Sequence, residues 1–215
     1  MSLNKVFSEL QVNKSNFLNC KTGDDFEQRI ITSLKANGFN HMVKGTNSEI
    51  DFFIEKIKLS VLDKLSMIYI KNTTSIKDAF FSQPYGSQEF PDFLVFTEFN
   101  VLLIDVKYSN EKQDRPMWNG NLPKNNAFYI FASRKYKNSG DITFFQGKDI
   151  LSQEHREILV SYWDQIRAYS IKLKKNFPIC NFDTYTRETY NQSSSCFDND
   201  RFTREQNLLT EIGNL

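Results

Sequence analysis

The sequence predicts an α/β fold, a central mixed β-sheet of about five strands flanked by helices. Three observations point there. Segments near the start and the end of the chain repeat apolar residues every three or four positions, the period of a helix with one buried face. Between them lie short runs of Val, Ile, Leu and Phe, with the length and composition of strands. Those runs are nearly continuous rather than alternating, so both faces of the sheet are expected to be covered.

The elements follow in order. Residues 24–37 read as a helix capped by Asp24, with Phe26, Ile30 and Leu34 on one face and Gly38 as its stop. A second helix begins after Ser48 and runs to about Leu65, burying Ile50, Phe53, Ile54 and Ile57. Met67 to Lys71 is a short strand, and Gln83-Pro84-Tyr85-Gly86-Ser87 is a turn. Asp92 to Glu98 and Val101 to Tyr108 read as a hairpin joined at Phe99-Asn100. Asn126 to Ala132 and Ile142 to Phe145 add two strands. Residues 152–176 form the longest helix, capped by Ser152, with Pro178 just beyond its end. Its stripe is Ile158, Leu159, Tyr162, Trp163, Ile166, Tyr169 and Leu173. A short helix is expected over Arg204 to Ile212, after the polar loop Asn191 to Ser195. Residues 1–180 are expected to form the core, and 181–215 a C-terminal extension of the same domain.

Composition sets outer limits. A chain of 215 residues suits one substantial domain, and 40% hydrophobic residues with 20 Phe exclude a disordered one. No apolar run approaches the roughly 20 residues that span a bilayer, and no signal peptide is expected. The three cysteines include no CxxC pair and there are two histidines, which argues against zinc and for a reducing, cytoplasmic setting. A net charge of +1 counts against a large nonspecific nucleic-acid surface, yet leaves room for a basic cleft balanced by acids elsewhere.

The chemistry concentrates in the hairpin. Asp105 and Lys107 are two residues apart in a strand and so share a face, with Val106 on the other. Asp92, directly after Pro91, begins the neighbouring strand and approaches Asp105 if the hairpin pairs tightly. Paired carboxylates are oxygen ligands for Mg²⁺, with the Val106 carbonyl as a further ligand. A nearby lysine offsets charge as a phosphodiester is hydrolysed. Glu27, at the edge of the first helix's buried stripe, is the fourth candidate, assisting the metal directly or through water. The plain alternatives stand beside these: a buried Asp105–Lys107 ion pair, and a solvated Glu27.

Pro91-Asp92, twelve intervening residues, then Asp105-Val106-Lys107 resembles the signature of the PD-(D/E)xK nuclease superfamily. The flanking segments resemble type II restriction endonucleases within it. These are Gln83 to Gln88, Pro116-Met117-Trp118-Asn119, Leu122-Pro123, Phe128 to Phe131 and Thr143 to Asp149. The resemblance covers about residues 24–150. It implies a restriction-endonuclease-like core, Mg²⁺-dependent cleavage of double-stranded DNA, a homodimer, and a cognate DNA methyltransferase in the same system. It makes Asp92 and Asp105 metal ligands, Lys107 the catalytic lysine and Glu27 the helix carboxylate. Asp105 stands where the family often has Glu.

Reading a DNA sequence takes side chains that reach base edges. Two regions have that composition: Trp118, Asn119, Lys124 and Asn125, and the C-terminal Arg187, Asn191, Gln192 and Arg201. Each is also an ordinary loop residue by type. The functions that remain are a restriction endonuclease, a repair, recombination or phage nuclease of the same fold, and a non-catalytic DNA-binding protein.

Overall fold

The apolar run ending at Ile104 becomes the axis of the molecule. A computed structural model describes residues 3–62, 70–87, 89–110, 115–116, 118, 122–135, 140–177 and 199–214. The strands are β1 (Asn40–Met42), β2 (Ile70–Lys71), β3 (Ala79–Ser82), β4 (Phe93–Phe96), β5 (Asn100–Ser109), β6 (Phe128–Ser133) and β7 (Asp141–Gln146). They form one seven-stranded sheet in the order β1-β3-β4-β5-β6-β7, with β2 also pairing β5. The β1–β3 and β5–β6 pairs are parallel and the rest antiparallel, so the sheet is mixed.

Helices cover both faces. On one lie α1 (Leu3–Val12), α2 (Lys14–Leu18), α3 (Gly23–Ala36) and α6 (Arg201–Gly213); on the other lies α4 (Ser48–Leu62). The period of two divides the strands between them. Leu102, Ile104 and Val106 face the first layer, with Phe7, Phe26, Leu34 and Leu208. Val101 and Leu103 face the second, with Ile50, Ile54 and Ile57. Buried phenylalanines on both sides, each worth about 1.5–3 kcal/mol, stiffen the sheet that carries the site.

The two strands of the predicted hairpin pair, Phe93 opposite Ile104 through Phe96 opposite Val101. Asp92 lies one residue before β4 rather than within it. Thr22, not Asp24, caps α3: its hydroxyl accepts the Asp25 N–H at 3.1 Å, and the Asp25 carboxylate accepts the Thr22 N–H at 3.2 Å. The geometry needs the residue three before the donating amide of Asp25, which is Thr22. Gly38, at φ +91, ends that helix as expected. Ser152 caps α5 (Gln153–Asn176), accepting the His155 N–H at 3.2 Å.

The apolar stripe of α5 is not buried as expected. Ile158, Tyr162 and Tyr169 are exposed, and only Arg156 and Val160 are buried. The helix is held through its first turns, where Arg156 bonds to the loop ahead of β6. Four elements had no counterpart in the sequence reading: α1, α2, β1 and β3. The last three run five residues or fewer, too short to show a period. Residues 67–69 of the predicted first strand lie outside the described residues. No described helix is long and apolar enough to cross a membrane.

Candidate active site

The site forms where β4 stops short and β5 continues. Extending the β4–β5 register by one residue sets Asp92 opposite Asp105. Proline at 91 has no N–H to donate to the Val106 carbonyl, so the ladder is not continued there. The Val106 N–H turns instead to Asp92, whose Oδ2 accepts it at 2.6 Å. In an antiparallel ladder a residue turns its N–H and C=O to the same neighbour. The Val106 carbonyl therefore faces the edge that β4 vacates, on the Asp92 side.

Asp105 is 3% exposed, on the same face as Val101 and Leu103. Lys107 brings its Nζ to 2.5 Å from Asp105 Oδ2. That oxygen is buried and receives no well-formed hydrogen bond. On the neighbouring strand Tyr129 stands beside Asp105, buried, its hydroxyl accepting the Lys124 N–H at 2.7 Å. Glu27, half-buried on α3, accepts a hydrogen bond from Gln83 Nε2 at 3.0 Å.

The electrostatics are those of acids forced together. Burial pushes the Asp92 carboxyl well above the usual carboxylate range, and the charges of Asp105 and Glu27 add to it; the Val106 N–H and Lys107 pull the other way. Burial raises Asp105 too, against Lys107. Glu27 is raised by burial first, with the Gln83 bond opposing. Burial disfavours the charged form of Lys107, but Asp105, Asp92 and Glu27 outweigh it and raise its pKa above the usual lysine range. One lysine faces three carboxylates. A buried charge left unpaired costs several kcal/mol, more than any single buried Phe returns, so the cluster is a local liability of the fold.

The donor set fits Mg²⁺. All its atoms are oxygens, and the buried Asp105 Oδ2, met by Lys107 alone at 2.5 Å among the described contacts, is suited to a hard cation. Among the described residues no three His, Cys, Asp or Glu side chains converge to enclose an ion. Two carboxylates and a carbonyl are what remain, an open set of the kind Mg²⁺ completes with water and phosphate oxygens. Glu27 interacts with that pair through charge, from its place against Gln83.

The expected DNA-reading residues are scattered, and several are committed elsewhere. Trp118 is 6% exposed and packs edge-on against Tyr129. Asn125 is buried, accepting from Arg156 Nε at 3.0 Å and donating to Gln153 Oε1 at 2.7 Å. Arg201 donates to Asp141 Oδ2 at 2.5 Å, Glu205 Oε1 at 2.7 Å and the Ile142 carbonyl at 2.6 Å. The polar groups of Asn125 and Arg201 are thus engaged in bonds within the fold. Lys124 is half-buried beside Tyr129. Asn119, Arg187, Asn191 and Gln192 lie outside the described residues.

Gln83, Tyr129 and Gly147 entered the sequence reading only within segments that carry the resemblance, and neither they nor Arg156 had an individual role there. A Cβ on Gly147 would stand 2.0 Å from the Lys124 carbonyl oxygen, so that glycine admits the loop behind the site. A glycine directly after an apolar strand was a signal for Gly147, and membership of those segments a weaker one for Gln83 and Tyr129; Arg156 had none. Comparison with protein-family models, curated proteins and solved structures gives no match to this chain.

Proposed function

We propose that this chain is a Mg²⁺-dependent endonuclease that hydrolyses phosphodiester bonds of double-stranded DNA, in the manner of a cytoplasmic type II restriction enzyme. The observation that carries the reading is the pairing of two carboxylates with a charged lysine at the broken edge between β4 and β5. Asp92, Asp105 and the Val106 carbonyl would hold the ion, which when bound supplies Lewis-acid stabilisation of charge on the scissile phosphate. Lys107, kept cationic by its acid neighbours, stabilises the negative charge that develops on the phosphate oxygens. The Val106 N–H fixes Asp92 so that it does not swing away as substrate enters. Cutting both strands of a symmetric site is met most simply by a two-fold homodimer, and a restriction enzyme implies a companion methyltransferase.

A second reading keeps the chemistry and drops base recognition: a structure-directed nuclease of repair, recombination or phage DNA processing. The commitment of Asn125 and Arg201 to internal bonds favours it. One digestion separates the two. Purified protein with Mg²⁺ and unmethylated phage DNA is expected to yield discrete bands, lost with EDTA and reduced about a hundredfold or more in Asp105→Asn. A smear that vanishes in Asp105→Asn supports the second reading. Folded protein that cuts nothing with Mg²⁺ or Mn²⁺ returns Asp105 and Lys107 to a buried ion pair, in a non-catalytic protein.

A further inference from the structure

Gln83 is where β3 ends and the chain turns into Pro84. Its φ is +46, one of two positive values among the described residues other than glycine. That left-handed region is costly for a residue with a Cβ, and a following proline restricts the backbone further. Turns that need this conformation ordinarily use Gly or Asn. A long side chain here requires a reason.

Two hydrogen bonds supply one. The Gln83 N–H donates to the Asp92 carbonyl at 2.6 Å, continuing the β3–β4 ladder one residue past its end. The Gln83 side chain donates to Glu27 Oε2 at 3.0 Å, 56 residues away in sequence. A single residue thus ties down the backbone that carries one carboxylate and the side chain of another. Gly at 83 would relax the turn but reach nothing. Asn would accept the conformation, but its side chain is one methylene too short for Glu27.

We propose that Gln83 is a positioning residue, retained in a strained conformation because it orients the Glu27 carboxylate toward the Asp92–Asp105 pair and fixes Asp92 at the end of β4. The role rests on the nuclease reading of that pair. It acts through Glu27 and Asp92 and touches no reacting atom.

The test compares the full-length wild type with Gln83→Gly and Gln83→Asn. Three quantities are read: the urea unfolding midpoint without metal, Mn²⁺ binding by electron paramagnetic resonance, and single-turnover cleavage of plasmid DNA with Mg²⁺. The expected result is a divergence. Gln83→Gly unfolds at an unchanged or higher urea concentration, because the strain is gone, while both variants cleave about tenfold more slowly or worse. A Gln83→Gly variant that cleaves at the wild-type rate overturns the positioning role and leaves the nuclease reading intact. So does a midpoint that falls in step with the rate, since the residue is then only structural. A wild type that neither binds Mn²⁺ nor cuts DNA removes both together.

Discussion

Asp141, at the start of β7, accepts from Arg201 and pairs with Lys14 at 2.7 Å. Burial alone would raise its carboxyl, but Arg201, Lys14 and the Ile142 N–H hold it down at about 2. A depressed carboxyl stabilises the fold above its unfolded value of 3.8 and loses that contribution as pH falls through about 2. The difference corresponds to about 2 kcal/mol. Asp141→Asn is therefore expected to lower stability by roughly that amount at pH 7, and its urea midpoint should converge on the wild type's between pH 4 and pH 2. A constant gap across that range would show that the ion pair is not the source. The same network engages Arg201 within the fold. Residue type and a polar neighbourhood describe a DNA-contacting arginine and a buried one equally well. Asp105 and Lys107 were legible because strand alternation alone sets them on one face, and an acid inside an apolar run is costly without a purpose.

At the scale of elements, the loop 122–127 joins β6 to the site, and contacts from α5, β6 and Gly147 fix it. Arg156 from α5 donates to the carbonyl of Pro123 and, at 2.6 Å, to Asn125 Oδ1. Lys124 donates to Tyr129, and Gly147 lies against the Lys124 backbone. A methyl group at Gly147 meets main chain, which cannot rotate away. Gly147→Ala is expected to cost about 1–3 kcal/mol, read as a melting temperature lower by roughly 2–4 °C per kcal/mol for a chain of this size. A melt equal to wild type would mean that the loop shifts freely. Helix limits were legible from caps and period, as at Ser152 and Gly38. The cap of α3 was off by two residues, because a reading of residue types does not show which hydroxyl meets which amide. The stripe of α5 had the right period, but periodicity does not say whether a neighbour exists to cover it.

At the scale of the molecule, α6 closes the core. Leu208 is fully buried and Ile212 nearly so, in the same cluster as α1, α3 and the inner face of the sheet. Glu205 accepts from Thr143 at 2.7 Å and from Gln11 at 3.0 Å, binding α6 to β7 and α1. Ending the chain after residue 199 should leave a protein that is unfolded or aggregated, read by circular dichroism and light scattering. A truncated protein with native helicity and a cooperative melt would show that the core forms without this helix. The sequence by itself determined the sheet's central strands, the hairpin, and the placing of Asp105 and Lys107 on one face, because these follow from local periods of two and 3.6 and from residues next to one another. Only the tertiary structure decided that Asp92 replaces a missing ladder bond at Val106, that Glu27 is held by Gln83, and that Arg201 and Asn125 belong to the fold. Those contacts join residues 14 to 60 positions apart, and packing in three dimensions, rather than any local pattern, selects them.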